Sequence, residues 1–229
     1  MEKKIITDFE NTFKNSLLND ELKSRKEFLD KFIEKGFPSK KLESWKFSDL
    51  NQIINNNIEN LIFYNDINKI YKIDESIYLK NIEHNKIIFI NGKLEEINLE
   101  YEDNNKFKIK KETKIENNNF QDNSLINLNN AFTINNYKIY VQKNYHVKKP
   151  LVIYHITNNE LNSTNINIQL NFLLEENSSL NVIDIFNDMS VKNFINIYYN
   201  FDLKKDSVLK NFKFENINNK NIKYSFNNI

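Results

Sequence analysis

The sequence predicts a mainly β protein with a helical N-terminal region, and three observations carry that reading. Residues 1–35 bring apolar side chains back at intervals of three and four, the helical period. From about residue 124 the chain breaks into apolar runs separated by turn residues, with centres roughly 10–16 residues apart. Several runs alternate strictly, as in Ile166, Ile168, Leu170, Phe172 and Leu174, which is the strand period.

Composition narrows the class. A chain of 229 residues can bury a sizeable core, and 40% hydrophobic with 28% charged content is that of a globular protein. A net charge of +1 supplies no field to gather nucleic acid or an anionic membrane. No apolar run is long enough to span a bilayer, and the opening residues develop no secretory hydrophobic stretch. With no Cys there is no disulfide framework and no thiolate, and the cytoplasm is the simplest compartment. The excess of Asn, Ile and Lys reads as compositional bias, since the Asn is interleaved with strand residues throughout.

Taken in order, Ile5, Ile6, Phe9, Phe13 and Leu17 form the apolar face of a first helix. Asn19 or Asp20 then caps a second, which carries Leu22, Phe28, Leu29, Phe32 and Ile33. Gly36 suits the left-handed position that closes that helix, and Pro38 stops it resuming. Ser39 is placed to cap a short helix with Leu42, Trp45 and Leu50 on one face, which would bury the only Trp. Leu61–Tyr64 and Ile87–Ile90 read as strands, the second ending in the hairpin turn Asn91-Gly92 before Lys93-Leu94. Residues 103–119, with Lys108, Lys110, Lys111 and Lys114, read as a solvated strand edge or loop. They lack the Arg and aromatics of a nucleic-acid patch.

Leu125–Phe132 reads as a short helix feeding a strand. Strands then centre near Ile139, Ile153, Ile168, Ile183, Ile197, Phe212 and Ile222. Gly is absent beyond Gly92 and Pro beyond Pro150, so Asn must supply left-handed turn positions. Regular strands without hairpin glycines fit either a sandwich or a β-solenoid, and the pattern leaves both open.

Chemistry is sparse. His84 lies in a polar loop, His146 precedes Val147, and His155 sits inside the apolar run Leu151–Ile156. None has ligand spacing, so each reads as structural. His155 stands out because a buried imidazole needs a partner and titrates near neutrality. Glu95-Glu96 and Glu175-Glu176 are adjacent pairs that a strand would send to opposite faces, and turn or surface positions suit them better. Ser163-Thr164 and Ser178-Ser179 lack a nucleophile-elbow context, and two Gly cannot build a phosphate loop. No catalytic, cofactor-binding or metal-ligating residue is assigned.

The run Gly36-Phe37-Pro38-Ser39-Lys40-Lys41-Leu42-Glu43-Ser44-Trp45-Lys46-Phe47-Ser48-Asp49-Leu50 resembles the N-terminal signature of the SufB/SufD family of iron–sulfur cluster assembly scaffolds, most closely its SufD branch. Gly36, Pro38, Ser39, Lys40, Lys41, Glu43, Trp45, Lys46, Phe47, Ser48 and Leu50 match the pattern. Ile87–Leu94, Leu125–Phe132, Tyr137–Thr157 and Phe172–Leu180 are similar to later segments of that family. The resemblance implies a right-handed parallel β-helix core, truncated at the C-terminus. It divides the chain into an N-terminal helical region (1–60), a mixed α/β connection (61–120) and the first part of the β-helix (121–229).

The resemblance also implies a non-enzymatic subunit that pairs with a SufB-like paralogue and a SufC-like ATPase. The cluster would be assembled by the complex, with no cofactor held by this chain. The family's later Cys-Ser-His-Gly-like segment has no counterpart here, so no cluster ligand is carried over. A solenoid ending mid-array would leave an exposed edge coil that self-associates or needs a partner to stay soluble. Two other readings stand beside this one. One is an extracellular-type β-helix acting on or binding carbohydrate. The other is an interaction module working through an exposed Trp45.

Overall fold

In a parallel sheet each strand binds the backbone of its equivalent one coil away, so a stacked coil needs apolar residues at the same positions every turn. The sequence meets this condition. The computed structural model describes residues 2–13, 19–58, 60–63, 75–112, 122–134, 136–158, 161–217 and 220–229. It is 42% strand and 26% helix, with an N-terminal helical region and a β-solenoid of about 3 turns.

The helices are α1 (Glu2–Phe13), α2 (Asn19–Lys35), α3 (Leu50–Asn57) and α4 (Ser124–Phe132). The strands begin with β1 (Asn85–Ile90), β2 (Lys93–Asn98), β3 (Phe107–Glu112) and β4 (Asn136–Val141). There follow β5 (Leu151–Thr157), β6 (Asn165–Leu174), β7 (Ser179–Asp188), β8 (Phe194–Leu203), β9 (Val208–Asn216) and β10 (Ile222–Asn228). The first sheet runs β2-β1-β5-β7-β9 and the second β10-β8-β6-β4-β3. From β4 the chain alternates between the sheets, and each strand is parallel to its equivalent in the next coil. Antiparallel β2 and β3 close one end, while β9 and β10 form the edges at the other.

The pairing brings residues 29 apart into contact, as where Asn196 donates to Asn167 and Asn165 to the carbonyl of Phe194. The inner face is therefore built of apolar columns, including Ile87 on Ile153 and Leu151 on Val182 from the first sheet and Ile139, Phe172 and Phe201 from the second. Left-handed residues recur from coil to coil. Asn144, Asn177 and Asp206 have φ of 59°, 52° and 58°, with the amide of Asn144 bound to the carbonyl of Glu176 and that of Asn177 to Lys205. Among the described residues Asn fills four left-handed sites (Asn60, Asn91, Asn144 and Asn177), but Ser163, Lys192 and Asp206 fill others. Gly92 has φ of 81°, and a Cβ there would lie 2.9 Å from Ile166 Cγ2, so glycine is required.

The last coil differs from those before it. Phe212 and Phe214 alternate at the strand period, pair with Ile183 and Ile185 on the outer face and are 54% and 61% exposed. The inward positions between them are Asn211, Lys213 and Glu215, and β10 adds Lys223. The end coil thus has a largely polar interior, beside Leu209, and phenylalanines on its exterior.

Four local expectations change. Leu61–Phe63 forms no strand: only Ile62 bridges to the solenoid, through Ser163 and Asn165, and Tyr64 lies outside the described residues. Residues 107–112 do form an edge strand, whereas Lys114 and Leu17 lie outside the described residues. Ile6 is exposed, because Ile5, Phe9 and Phe13 already fill the inward stripe at four-residue spacing. Ser39 caps nothing: residues Glu43–Trp45 make a single 3-10 turn, and Asp49 instead caps α3 by accepting from the amide of Gln52. Leu42 and Leu50 consequently share no face, Leu42 being exposed and Leu50 buried.

Helix α4 lies on the outer face of the second sheet and is buried along its whole length. It docks by amide hydrogen bonds as well as apolar contact. Asn129 donates to the carbonyls of Ile168 (3.1 Å) and Asn196 (2.8 Å), and Asn196 donates to the carbonyl of Leu125 (2.8 Å). On its other side Leu125, Leu128, Ala131 and Phe132 join the core of α1–α3.

The C-terminal carbonyls of α4 are held by Arg25, the only Arg among 32 basic side chains. Its guanidinium reaches the carbonyls of Asn130, Ala131 and Thr133 (the last at 2.6 Å), pairs with Glu21 at 3.1 Å and lies over Phe13. A planar fork suits that many acceptors, and its charge also complements the negative C-terminal end of the helix dipole. Arg25 is 2% exposed, so Arg25→Ala strands three carbonyls and the Glu21 carboxylate. It should cost about 3 kcal/mol in urea unfolding, and Arg25→Lys should recover only part. A loss within experimental error for Arg25→Ala would refute this role.

Candidate functional site

Two places concentrate polar or aromatic side chains: a cluster inside the solenoid and a cleft at the signature segment. The interior cluster begins with the alternation of β5, which sends Leu151, Ile153, His155 and Thr157 inward. Strand register places Phe89 on one side of His155 and Phe186 on the other. The imidazole stacks between them, at 5.5 Å and 4.2 Å between ring centres and within 10° of parallel. Asp184 enters from β7 and Tyr199 from the facing sheet, and all three polar side chains are buried.

The hydrogen bonds leave one consistent proton arrangement. Tyr199 donates its hydroxyl proton to Asp184 Oδ1 at 2.8 Å. Nε2 of His155 lies 2.8 Å from the Tyr199 oxygen and 3.3 Å from the same Asp184 oxygen, and so acts as a donor. Nδ1 of His155 and Oδ2 of Asp184 have no hydrogen-bond partner. A cavity of about 10 Å³ beside His155, Thr157 and Asp188 has room for one water.

Burial pulls the His155 pKa below its ordinary value of 6.5. Asp184 opposes that shift, while Lys223 and Lys213 add to it. Burial, with the Asp184 charge, holds the Tyr199 hydroxyl well above its ordinary value. The cluster can therefore hold or exchange one proton at His155, but the cavity beside it is too small for an organic substrate.

Around it, Asp188 organises the turn that leaves β7. It accepts from the amide and hydroxyl of Ser190, from Thr157 one coil before and from Asn221 one coil later. Among the described residues no three His, Cys, Asp or Glu side chains group to hold a metal ion.

The other two histidines lie apart from this cluster. His84 donates Nδ1–H to the carbonyl of Ile82 (2.6 Å) and accepts at Nε2 from Tyr154, whose oxygen also accepts the amide of Leu79. His146 is exposed and lies 2.9 Å from the Ser179 hydroxyl. Glu176 pairs with Lys143 at a turn, as expected of a surface carboxylate. Glu95 and Glu96 instead lie within β2, paired separately with Lys93 and Lys86. Of the serine pairs, Ser178 bonds the carbonyl of Glu175 and Ser163 bonds Asn162, while Ser179 meets the exposed His146, for which the described residues supply no orienting carboxylate.

At the signature segment a cleft of about 760 Å³ lies between Phe37, Pro38, Leu42 and Trp45 on one side and Asn123 and Ser124 on the other. Trp45 is half-buried, not largely buried as expected, because its 3-10 turn lies on the surface of the helical region. One side of its ring meets Tyr224 of β10, with centres 5.9 Å apart. Tyr224 in turn accepts a hydrogen bond from Asn123, the residue that caps α4. Phe47 is 89% exposed under the Lys46 ammonium. The segment therefore joins the helices to the solenoid.

No protein-family model and no curated protein matches the chain. No helix among the described residues is long and apolar enough to cross a membrane.

Sequence reading missed Arg25, Asp184 and Tyr199. The lone Arg in a Lys-rich chain was the available signal for the first. The other two lie 29 and 44 residues from His155, partners visible only once the coil repeat is known. The placement of Trp45 is testable. Acrylamide should quench it with a slope between those of free and fully buried tryptophan, and Tyr224→Ala should raise that slope. An unchanged slope would contradict the contact with β10.

Proposed function

We propose that this chain is a SufD-like, non-enzymatic scaffold subunit of an iron–sulfur cluster assembly complex. It works in the cytoplasm, pairing with a SufB-like paralogue and a SufC-like ATPase. The observation that carries the reading is the position of the signature segment. Gly36–Leu50, the run that resembles the SufB/SufD family, lies between the helices and a β-solenoid, with Trp45 on Tyr224. A family defined by a helical region packed on a β-helix would place its signature at that junction.

Two further features support a scaffold. The interior polar cluster adjoins room for one water only. Phe212 and Phe214 are exposed side by side on the outer face of β9, which gives a partner an apolar surface on which to pack. Cluster chemistry on this reading belongs to the assembled complex, and this chain supplies shape and an interface.

Native mass spectrometry after co-expression with SufB-like and SufC-like proteins of the same source tests the proposal. The expected result is a complex containing this chain and the SufB-like subunit. Recovery of the chain alone, or only as aggregate, would remove the scaffold role from it.

A further inference from the structure

A buried His–Asp–Tyr group is an expensive way to fill a solenoid. The column it interrupts has Phe89 before His155 and Phe186 after it, and apolar replacements at such sites are commonly neutral or stabilising. What lies beyond Phe186 is also unusual. The last coil places two ammonium groups on this column: Lys223 Nζ lies 3.4 Å above the Phe186 ring, and Lys213 Nζ lies 5.4 Å from the Tyr199 ring. Lys223 is paired with Glu215, and Lys213 bonds Ser225.

We propose that His155 is the proton sensor of a latch on the last coil, seated when the imidazole is neutral and released from β7 and β8 when it is protonated. This does not rest on the assembly function proposed above.

The charges decide the direction. Facing His155 are Asp184 and Asp188 of β7, Tyr199 of β8, Lys213 and Glu215 of β9, and Lys223 of β10. Strands β1 and β6 bring only Phe89 and Ile168. Asp184 favours an imidazolium, against burial and two lysines that oppose it. Charging His155 in place would set a third cation beside Lys213 and Lys223, with Asp184 already bonded to Tyr199 and Glu215 to Lys223. Lifting β9 and β10 removes both lysines and admits water.

That coil also departs from the apolar rule: Asn211, Lys213, Glu215 and Lys223 line it beside Leu209, and Phe212 and Phe214 are exposed on its outer face. The closed-state pKa of His155 lies below its ordinary value, so the open state binds more protons as pH falls below about 6.5, and the equilibrium moves toward opening.

Hydrogen exchange at pH 7.5 and 5.5, corrected for intrinsic rates, tests this on the intact chain. In the wild type, protection in 208–217 and 222–229 should fall about tenfold at pH 5.5, the limit for one proton and one pH unit below 6.5, while β5–β8 keep theirs. His155→Gln, which keeps a donor but does not titrate, should lose the response. The same fall in His155→Gln, no fall in the wild type, or equal loss in every strand would overturn the latch. If His155→Gln fails to fold, imidazole ¹⁵N shifts of the wild type decide. A His155 that charges while 208–217 and 222–229 stay protected also overturns it.

Discussion

Backbone pairing between equivalent strands of successive coils is the constraint on which the remaining structure depends. It sets each residue against one about 29 positions along, so an inward side chain is judged against its neighbours in adjacent coils more than against its neighbours in sequence. Apolar columns satisfy this over most of the length, and the left-handed residues that turn the corners recur in the same way. The two departures from the apolar rule are adjacent to one another. One is His155 with Asp184 and Tyr199, and the other is the charged interior of the coil formed by β9 and β10.

The helical region is bound to this stack through polar groups that are themselves buried. Asn165, Asn167, Gln169 and Asn171 point outward from β6, where water would ordinarily meet them, yet α4 and its neighbours cover them. Each Asn bond is worth about 1 kcal/mol, and leaving one unmade under the helix costs more than that. Such contacts therefore fix where α4 sits more than they add net stability. Arg25 does the same at the far end of α4, tying α2 to carbonyls that no other helical residue could satisfy.

How much of this was legible follows from the range of each interaction. The N-terminal helices, the Asn-Gly hairpin and nearly every strand centre were readable, because period, caps and turn residues are local. Alternation in β6 was readable too, but it cannot say that the Asn face lies under a helix. Alternation in β9 distinguishes two faces without saying which turns inward, and Phe212 and Phe214 turn out. Ser39 was read as a cap, whereas Asp49, ten residues on and not singled out, is the one whose carboxylate meets a helix amide, that of Gln52. The buried state of His155 could be suspected from its apolar run, but its partners lie one coil on and across the solenoid, beyond any local pattern.

If polar contacts at α4 and the Trp45–Tyr224 contact do join helices and solenoid, the two should unfold together. Trp45 reports the helical side and β-sheet circular dichroism reports the solenoid, so one urea titration followed by both signals is decisive. Superimposable transitions with one midpoint are the expected result. Two separated midpoints would mean that the helical region and the solenoid are independent units, and that the junction described here does not hold them.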